Sequence, residues 1–263
     1  MMIKELLKVK FIPINLYYIL YIMEFKTIRQ HLKKGSLMKF LKKNEKNKIF
    51  DFFHLNKELY PYKYNSVEKN IHFIWIGSII PDKYIKNIKT YITNNKNHKI
   101  YLWVSHNIII ESVIVKNISE LRIINNKEYI IASHYGAKAD ILRYEIIYNY
   151  GGIYCDIDSI SLKEFDIIFE KDTVSYIYPL WNNLTNAFLC FSKNNPFLLY
   201  CIKCLPYAMQ FNLPHHYLTG PTFFTTCFYY YNNNNINLIH QSKIIHRSKD
   251  GYTYHTNDAN WKT

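Results

Sequence analysis

Apolar residues in this chain fall into short unbroken runs and longer helical periods. Ile71-His72-Phe73-Ile74-Trp75-Ile76, closed by Gly77, has the length and β-branched or aromatic content of a strand buried on both faces. Ile100-Tyr101-Leu102-Trp103-Val104 repeats that pattern. Between them Pro81-Asp82 opens a helix that runs to about Tyr91. Strand, helix, strand is the start of a parallel sheet. The stretch from there to Ile131 carries no clear period. A helix follows over 137–150, then a strand over Ile153–Ile157. Asp166–Tyr178 is read as a further helix and strand, and the chain turns helical after Pro196 to about Gln210. Asn232–Asn235 is a low-complexity loop.

The first 60 residues differ from this core. They carry helical periods with Lys/Glu-rich faces and almost no strand signal, and Gly35-Ser36 divides two helices. Pro61 and the polar run to Asn70 mark a boundary. The expected organisation is a basic, mainly helical extension over 1–65 and an α/β domain over 66–263. A length of 263 residues suits one such domain with a small appendage.

Charge sharpens that division. The formal net charge is +13, which invites a nucleic-acid reading. Residues 1–50, however, hold twelve Lys/Arg against Glu5, Glu24 and Glu45, and the rest of the chain is close to balanced. No zinc-finger spacing or RNA-recognition aromatic motif accompanies the excess. A solvated basic helix is the first reading, an anionic membrane surface the second, and nucleic acid the third. Phe11–Met23 is apolar but short, and it contains Pro13 and Asn15. A spanning helix needs roughly 20 apolar residues, so this segment is read as a helix packed on the protein. Five cysteines, an odd count, sit among apolar residues as small buried hydrophobes do. They point to a reducing, cytoplasmic setting.

The chemistry concentrates in one block. Ala139-Asp140-Ile141-Leu142-Arg143-Tyr144 lies on the 137–150 helix, and Gly151-Gly152-Ile153-Tyr154-Cys155-Asp156-Ile157-Asp158 follows it. Gly151 suits the left-handed residue that ends a helix. Asp140 and Arg143, three apart, share a helix face. Residues at i and i+2 of a strand share a side, so Asp156 and Asp158 are expected together at the strand's end, where α/β folds keep their ligands. Two such carboxylates repel unless a cation or a proton sits between them. A hard divalent metal that also takes phosphate oxygens meets that need.

These segments resemble the DXD-type sugar-binding glycosyltransferases, a family that includes fungal Golgi initiating mannosyltransferases, α-1,4-galactosyltransferases and, distantly, the clostridial glucosylating toxins. The resemblance also takes in Ile71–Gly77, Asn186-Ala187-Phe188 with Asn195-Pro196-Phe197, Thr219-Gly220-Pro221, and His255-Thr256-Asn257-Asp258-Ala259-Asn260-Trp261. It covers about residues 68–263. It implies a GT-A, Rossmann-like α/β domain with a mainly parallel sheet, transferring a hexose from a UDP- or GDP-linked donor with retention of configuration. The acceptor would be a hydroxyl of a glycan, lipid or protein. By the same resemblance Asp158, His255 and Asn260 hold Mn²⁺ or Mg²⁺. Trp75 stacks on the base, with Ile76 and Gly77 beside it. Asp140, Arg143, Tyr154, Asp156 and Asn186 face the donor, and Trp261 closes over the phosphates. Asp156, Asp158, Asp140 and Arg143 form the catalytic set. One His stands where the family has two, and Asn260 replaces a Ser. Family members of the Golgi carry an anchor, so a Golgi or membrane-associated setting is the alternative to the cytoplasm. Two other functions compete. A haloacid-dehalogenase-type phosphatase also places Asp-x-Asp after a strand, with the first Asp as nucleophile. An inactive basic protein that binds membrane or nucleic acid would explain the N-terminal charge.

Overall fold

The computed structural model describes residues 30, 32–34, 36–63, 65–165, 169–177, 183–231, 235–244, 251–256 and 258. In chain order the elements are α1 (Lys43–Asn56), β1 (Asn70–Trp75), α2 (Asp82–Asn94), β2 (Lys99–Val104), β3 (Ile114–Asn117), α3 (Asn126–Ile131), α4 (Tyr135–Tyr150), β4 (Gly152–Cys155), β5 (Ser159–Ser161), β6 (Thr173–Ile177), β7 (Asn183–Phe191), α5 (Pro196–Ala208), α6 (His215–Thr219), α7 (Pro221–Tyr231), β8 (Asn237–His240), α8 (Gln241–Ile244) and β9 (Thr253–His255). Seven strands form one sheet in the order β3-β2-β1-β4-β7-β6-β8. All its pairs are parallel except those made by β7, which runs antiparallel to both β4 and β6. Strands β5 and β9 form a separate antiparallel pair. This is the mainly parallel α/β arrangement expected from the sequence.

Both faces of the sheet are covered, which is why β1 reads as an unbroken apolar run. Ile71 and Phe73 point to one side and pack with Tyr84, Ile88 and Tyr91 of α2. Ile74, with Trp103 of β2, points to the other and packs with Ile141 and Tyr144 of α4. The described part of the basic extension joins that second core. Leu37 and Phe53 are fully buried in it, and the Tyr200 hydroxyl donates to the Phe53 carbonyl at 2.7 Å.

Among the polar residues in this interior, His72 ties two elements together. His72 is buried, and its Nδ1 accepts from the Trp103 indole at 3.2 Å. Its Nε2 therefore carries the proton and donates to the Gly151 carbonyl at 3.0 Å. Burial brings its pKa down to about 4, so the ring stays neutral. The bond ties β1 to the turn between α4 and β4.

That turn sets the direction of β4. Gly151 and Gly152 have φ of 64° and 104°. A Cβ on Gly152 would stand 2.4 Å from the Asn70 carbonyl oxygen on β1. Several boundaries differ from the sequence reading. Helix α4 starts at Tyr135 because the His134 side chain accepts from Ala137 N at 3.1 Å and caps it. Helix α2 continues to Asn94, and the unassigned stretch before Ile131 contains β3 and α3. The strand expected over Ile153–Ile157 ends at Cys155, since the Asp156 carbonyl accepts from Ser159 N at 3.1 Å and the chain turns there. Of the helix and strand expected over Asp166–Tyr178, the strand is Thr173–Ile177, while residues 166–168 and Tyr178 lie outside the described residues. So do the segment Phe11–Met23 and residues 232–234 of the polar loop. Among the described residues no helix is long and apolar enough to cross a membrane.

Replacing Gly152 by Ala combines an unfavourable φ with a clash against β1. The expected loss is about 1–3 kcal/mol of unfolding free energy, read as a lower urea midpoint with an unchanged slope.

Candidate active site

The C-terminal ends of β1 and β4 open into a cavity of about 700 Å³. Its apolar wall includes Ile74, Trp75, Ile76, Pro81, Tyr84 and Tyr135. Its polar wall is Lys83, Arg143, Tyr154, Asp156, Asp158 and His255. Trp75 is half-buried here, its ring tilted against Tyr84 at 5.0 Å and its indole N–H donating to the Ser78 carbonyl. Among the described residues, the core tryptophan is Trp103 instead. Gly77, with φ 99°, lies under Tyr135: an added Cβ would stand 2.3 Å from that ring.

Asp156 and Asp158 converge, by a different route from the strand geometry expected. They occupy a turn, and β9 brings His255 against both. His255 Nε2 lies 3.5 Å from Asp156 Oδ2 and 3.1 Å from Asp158 Oδ1. The pairing of β5 with β9 sets this, placing Ser159 opposite His255. The Thr256 N–H and hydroxyl both donate to the Asp158 carbonyl at 2.9 Å. One ligand atom from each of Asp156, Asp158 and His255 lies within 4.8 Å of the others. Two carboxylates and an imidazole at that spacing fit a divalent cation.

Arg143 holds the other side of Asp156. Its NH1 is 3.2 Å from Asp156 Oδ1 and donates to the Asn186 carbonyl at 2.7 Å. Its NH2 is 3.2 Å from Asp140 Oδ1, and its Nε donates to the Ala139 carbonyl. The Tyr154 ring lies under the guanidinium at 4.6 Å, and the Tyr154 hydroxyl donates to Asp156 Oδ1 at 2.7 Å. Asp140 and Asn186 are buried behind Arg143 and do not line the cavity. The sequence grouped both with the donor-facing residues; a contact with Arg143 is what each of them makes. Asn186 reaches this position through an irregularity in β7. Register with β6 shifts so that Ser175 faces Thr185 while Val174 faces Leu189. The intervening bulge turns the Asn186 carbonyl to Arg143 and the Ala187 carbonyl to Asp156 N.

The two carboxylates are electrostatically unlike. Burial works against the charge of Asp156, but Arg143, His255 and Tyr154 outweigh it and bring its carboxyl down to about 2. Burial and the nearby charge of Asp156 push Asp158 the other way, above the usual carboxylate range. Burial opposes the charge of His255, yet its bond to Asp156 and the surrounding carboxylates raise its pKa.

Sequence reasoning missed a bridge across the cavity mouth. Lys83 Nζ and the Tyr84 hydroxyl both reach Asp258 Oδ2, at 2.8 and 2.9 Å. The Asp258 N–H donates to Asp158 Oδ2 at 3.0 Å. The distance in sequence between α2 and Asp258 left no local signal for it. Asn260 and Trp261 lie outside the described residues.

Arg143→Ala leaves Asp140 and Asp156 near one another without their shared cation. Breaking a buried pair this way is expected to cost about 3–5 kcal/mol, measured by urea unfolding. Lys83→Ala removes an exposed partner, and its midpoint is expected to stay near wild type.

Residues 81–175 match the family described as "Glycosyltransferase sugar-binding region containing DXD motif". The chain is similar to inositol phosphoceramide mannosyltransferase 3 of Schizosaccharomyces pombe, with 28% identity over 180 residues, which is 65% of this chain and 47% of that protein. The chain thus spans about half the length of that relative. Among solved structures, the PaToxG glycosyltransferase superposes with a TM-score of 0.54 at 21% identity, covering 70% of this chain and 77% of that one. The ligand-free glycosyltransferase domain of the YGT toxin gives 0.51 at 11% identity, covering 62% and 77%. Asp140, Arg143, Asp156 and Asp158 all fall inside the matched segment, and the chain shares its GT-A fold with these glycosyltransferase domains.

Proposed function

We propose that the protein is a metal-dependent, retaining glycosyltransferase that moves a hexose from a nucleotide-diphosphate sugar to a hydroxyl acceptor. The observation that carries this is the meeting of Asp156, Asp158 and His255 in one cavity wall with Arg143 beside them. A phosphatase reading needs Asp156 as a free nucleophile. Here Arg143, Tyr154 and His255 all engage that carboxylate, which suits a fixed ligand better than an attacking group.

In this reading Asp158 and His255 hold Mn²⁺ or Mg²⁺, with Asp156 at the edge of the same site and Asn260 completing it. The bound cation supplies charge neutralisation on the diphosphate as it leaves. Arg143 stays charged in its buried setting and presents a fixed cation toward the sugar and phosphates. Lys83, at the cavity mouth, adds a second positive charge. Trp75 offers its ring to the base beside Ile76 and Gly77, and Trp261 closes over the phosphates. The acceptor oxygen bonds to the anomeric carbon on the face the diphosphate leaves. As the old C–O bond breaks, the hydroxyl proton passes to the departing phosphate oxygen. Residues 66–263 form the catalytic unit. The donor is UDP- or GDP-linked and the acceptor a glycan, lipid or protein.

Incubation with a panel of UDP- and GDP-sugars in the presence of Mn²⁺ or Mg²⁺ is expected to release nucleoside diphosphate. Chelation with EDTA should stop it. Asp158→Asn is expected to abolish both turnover and metal-dependent donor binding. Activity retained in that variant, or hydrolysis of simple phosphomonoesters with nucleotide sugars ignored, would sink the proposal. Trp75→Ala should weaken donor affinity by about 1–3 kcal/mol, roughly 5- to 150-fold, in a titration followed by calorimetry. The anomer formed, read by NMR, tests retention separately.

A further inference from the structure

Asp140 is the acidic residue of the cluster that the cavity does not reach, and its carboxylate is fixed from three directions. Oδ1 meets Asn186 Nδ2 at 2.8 Å and Arg143 NH2 at 3.2 Å. Oδ2 meets the Thr219 hydroxyl at 3.0 Å. Thr219 is fully buried at the end of α6. Its hydroxyl also lies 2.9 Å from the His215 carbonyl, so one proton serves two acceptors. The Tyr144 hydroxyl donates to the Thr219 carbonyl at 2.8 Å and accepts from Asn186 Nδ2 at 3.2 Å. Asp140, Asn186, Tyr144 and Thr219 thus close a ring of hydrogen bonds in the buried interior behind Arg143.

The next residue makes this close approach possible. A Cβ on Gly220 would stand 3.1 Å from Asp140 Oδ2 and 2.6 Å from the His216 carbonyl oxygen. The Thr-Gly pair therefore delivers a hydroxyl to Asp140 and keeps bulk away from it. A carboxylate held at only one oxygen can still rotate about its terminal torsion, which is broad. Held at both, its plane is set. The plane of Asp140 directs NH2 of Arg143, and the rigid guanidinium fork then fixes where NH1 meets Asp156.

We propose that Thr219 is a positioning residue: acting through Asp140, its hydroxyl sets the orientation of the Arg143 guanidinium toward the cavity. The kinetic consequence rests on the transferase reading above; the geometric one does not. Misplacement of a charge by about 1 Å can reduce rate some 10²-fold, so the effect belongs to turnover more than to folding.

The test compares Thr219→Val, which keeps the shape and loses the hydroxyl, with Thr219→Ser, which restores it. Thr226→Val on α7 serves as a folding control, because Thr226 makes buried hydrogen bonds to Leu37 N and the Thr222 carbonyl away from the cavity. Thr219→Val is expected to lower kcat/KM for nucleotide-sugar turnover by about 10- to 100-fold. Thr219→Ser should recover to within a few-fold of wild type, and Thr226→Val should leave kcat/KM unchanged while lowering Tm. A second readout needs no substrate. The Arg143 Nε–H signal in ¹⁵N NMR, assigned by its absence in Arg143→Lys, should be sharp and slow to exchange in wild type. It should broaden in Thr219→Val and return in Thr219→Ser. Unchanged kinetics together with an unchanged Arg143 signal in Thr219→Val overturns the proposal, as does an equal loss of kcat/KM in Thr226→Val. Should wild type release no nucleoside diphosphate from any donor, the transferase reading fails. The NMR comparison then decides alone: broadening sustains the positioning role and an unaltered signal ends it.

Discussion

The site depends on one buried cation. Arg143 stands between Asp140 and Asp156, two carboxylates on different elements that would otherwise repel in a low-dielectric interior. A lysine could neutralise one of them as a point charge. It could not span both while also donating to the Asn186 carbonyl and packing its plane over the Tyr154 ring. These demands together require a planar group with several donors. Arg143 also lies on a helix whose other face is packed in the core. The position of the charge is therefore set by the packing of the whole domain, and so is the position of Asp156.

The backbone around this cation is arranged to the same end. Strands β1 and β4 run parallel and side by side, so their ends deliver Trp75 and Asp156 to one cavity. His72 holds β1 to the glycine turn that launches β4. Strand β7 departs from regular pairing where its carbonyls are needed, at Asn186 and Ala187. The small β5–β9 pair then carries His255 back across a long stretch of chain. Local departures from regular structure thus gather at the site, and the regular elements fix where those departures point.

This explains what could be read in the sequence. The alternation of Ile71 and Phe73 with Ile74, and the stop at Gly151-Gly152, are local and physical, and they located β1, α4 and β4 to within a few residues. The nearness of Asp156 and Asp158 was legible for the wrong geometric reason. Ser159 donates to the Asp156 carbonyl and turns the chain, so the pair meets through His255 and not as two positions of one strand. His255 was reached only by family resemblance. Lys83, Tyr84 and Asp258 were missed, because a contact between α2 and residue 258 leaves no mark at short range. Asn186 and Asp140 were recognised as belonging together with the site. Burial and partners, which a sequence does not display, place them behind Arg143.

The unlike surroundings of the two carboxylates give the arrangement its chemical logic. Asp156 already has Arg143, Tyr154 and His255, and these lower its pKa despite its burial. Much of its charge is thus satisfied by the protein. Asp158 has a backbone donor from Asp258 and the imidazole of His255, but it also faces the charge of Asp156, and its pKa rises. The two aspartates of the motif are therefore not equivalent. The first is held by Arg143, Tyr154 and His255, and the second by His255 and the Asp258 N–H with the charge of Asp156 beside it. The division follows from which of them stands next to Arg143, and so traces back to the packing of one helix.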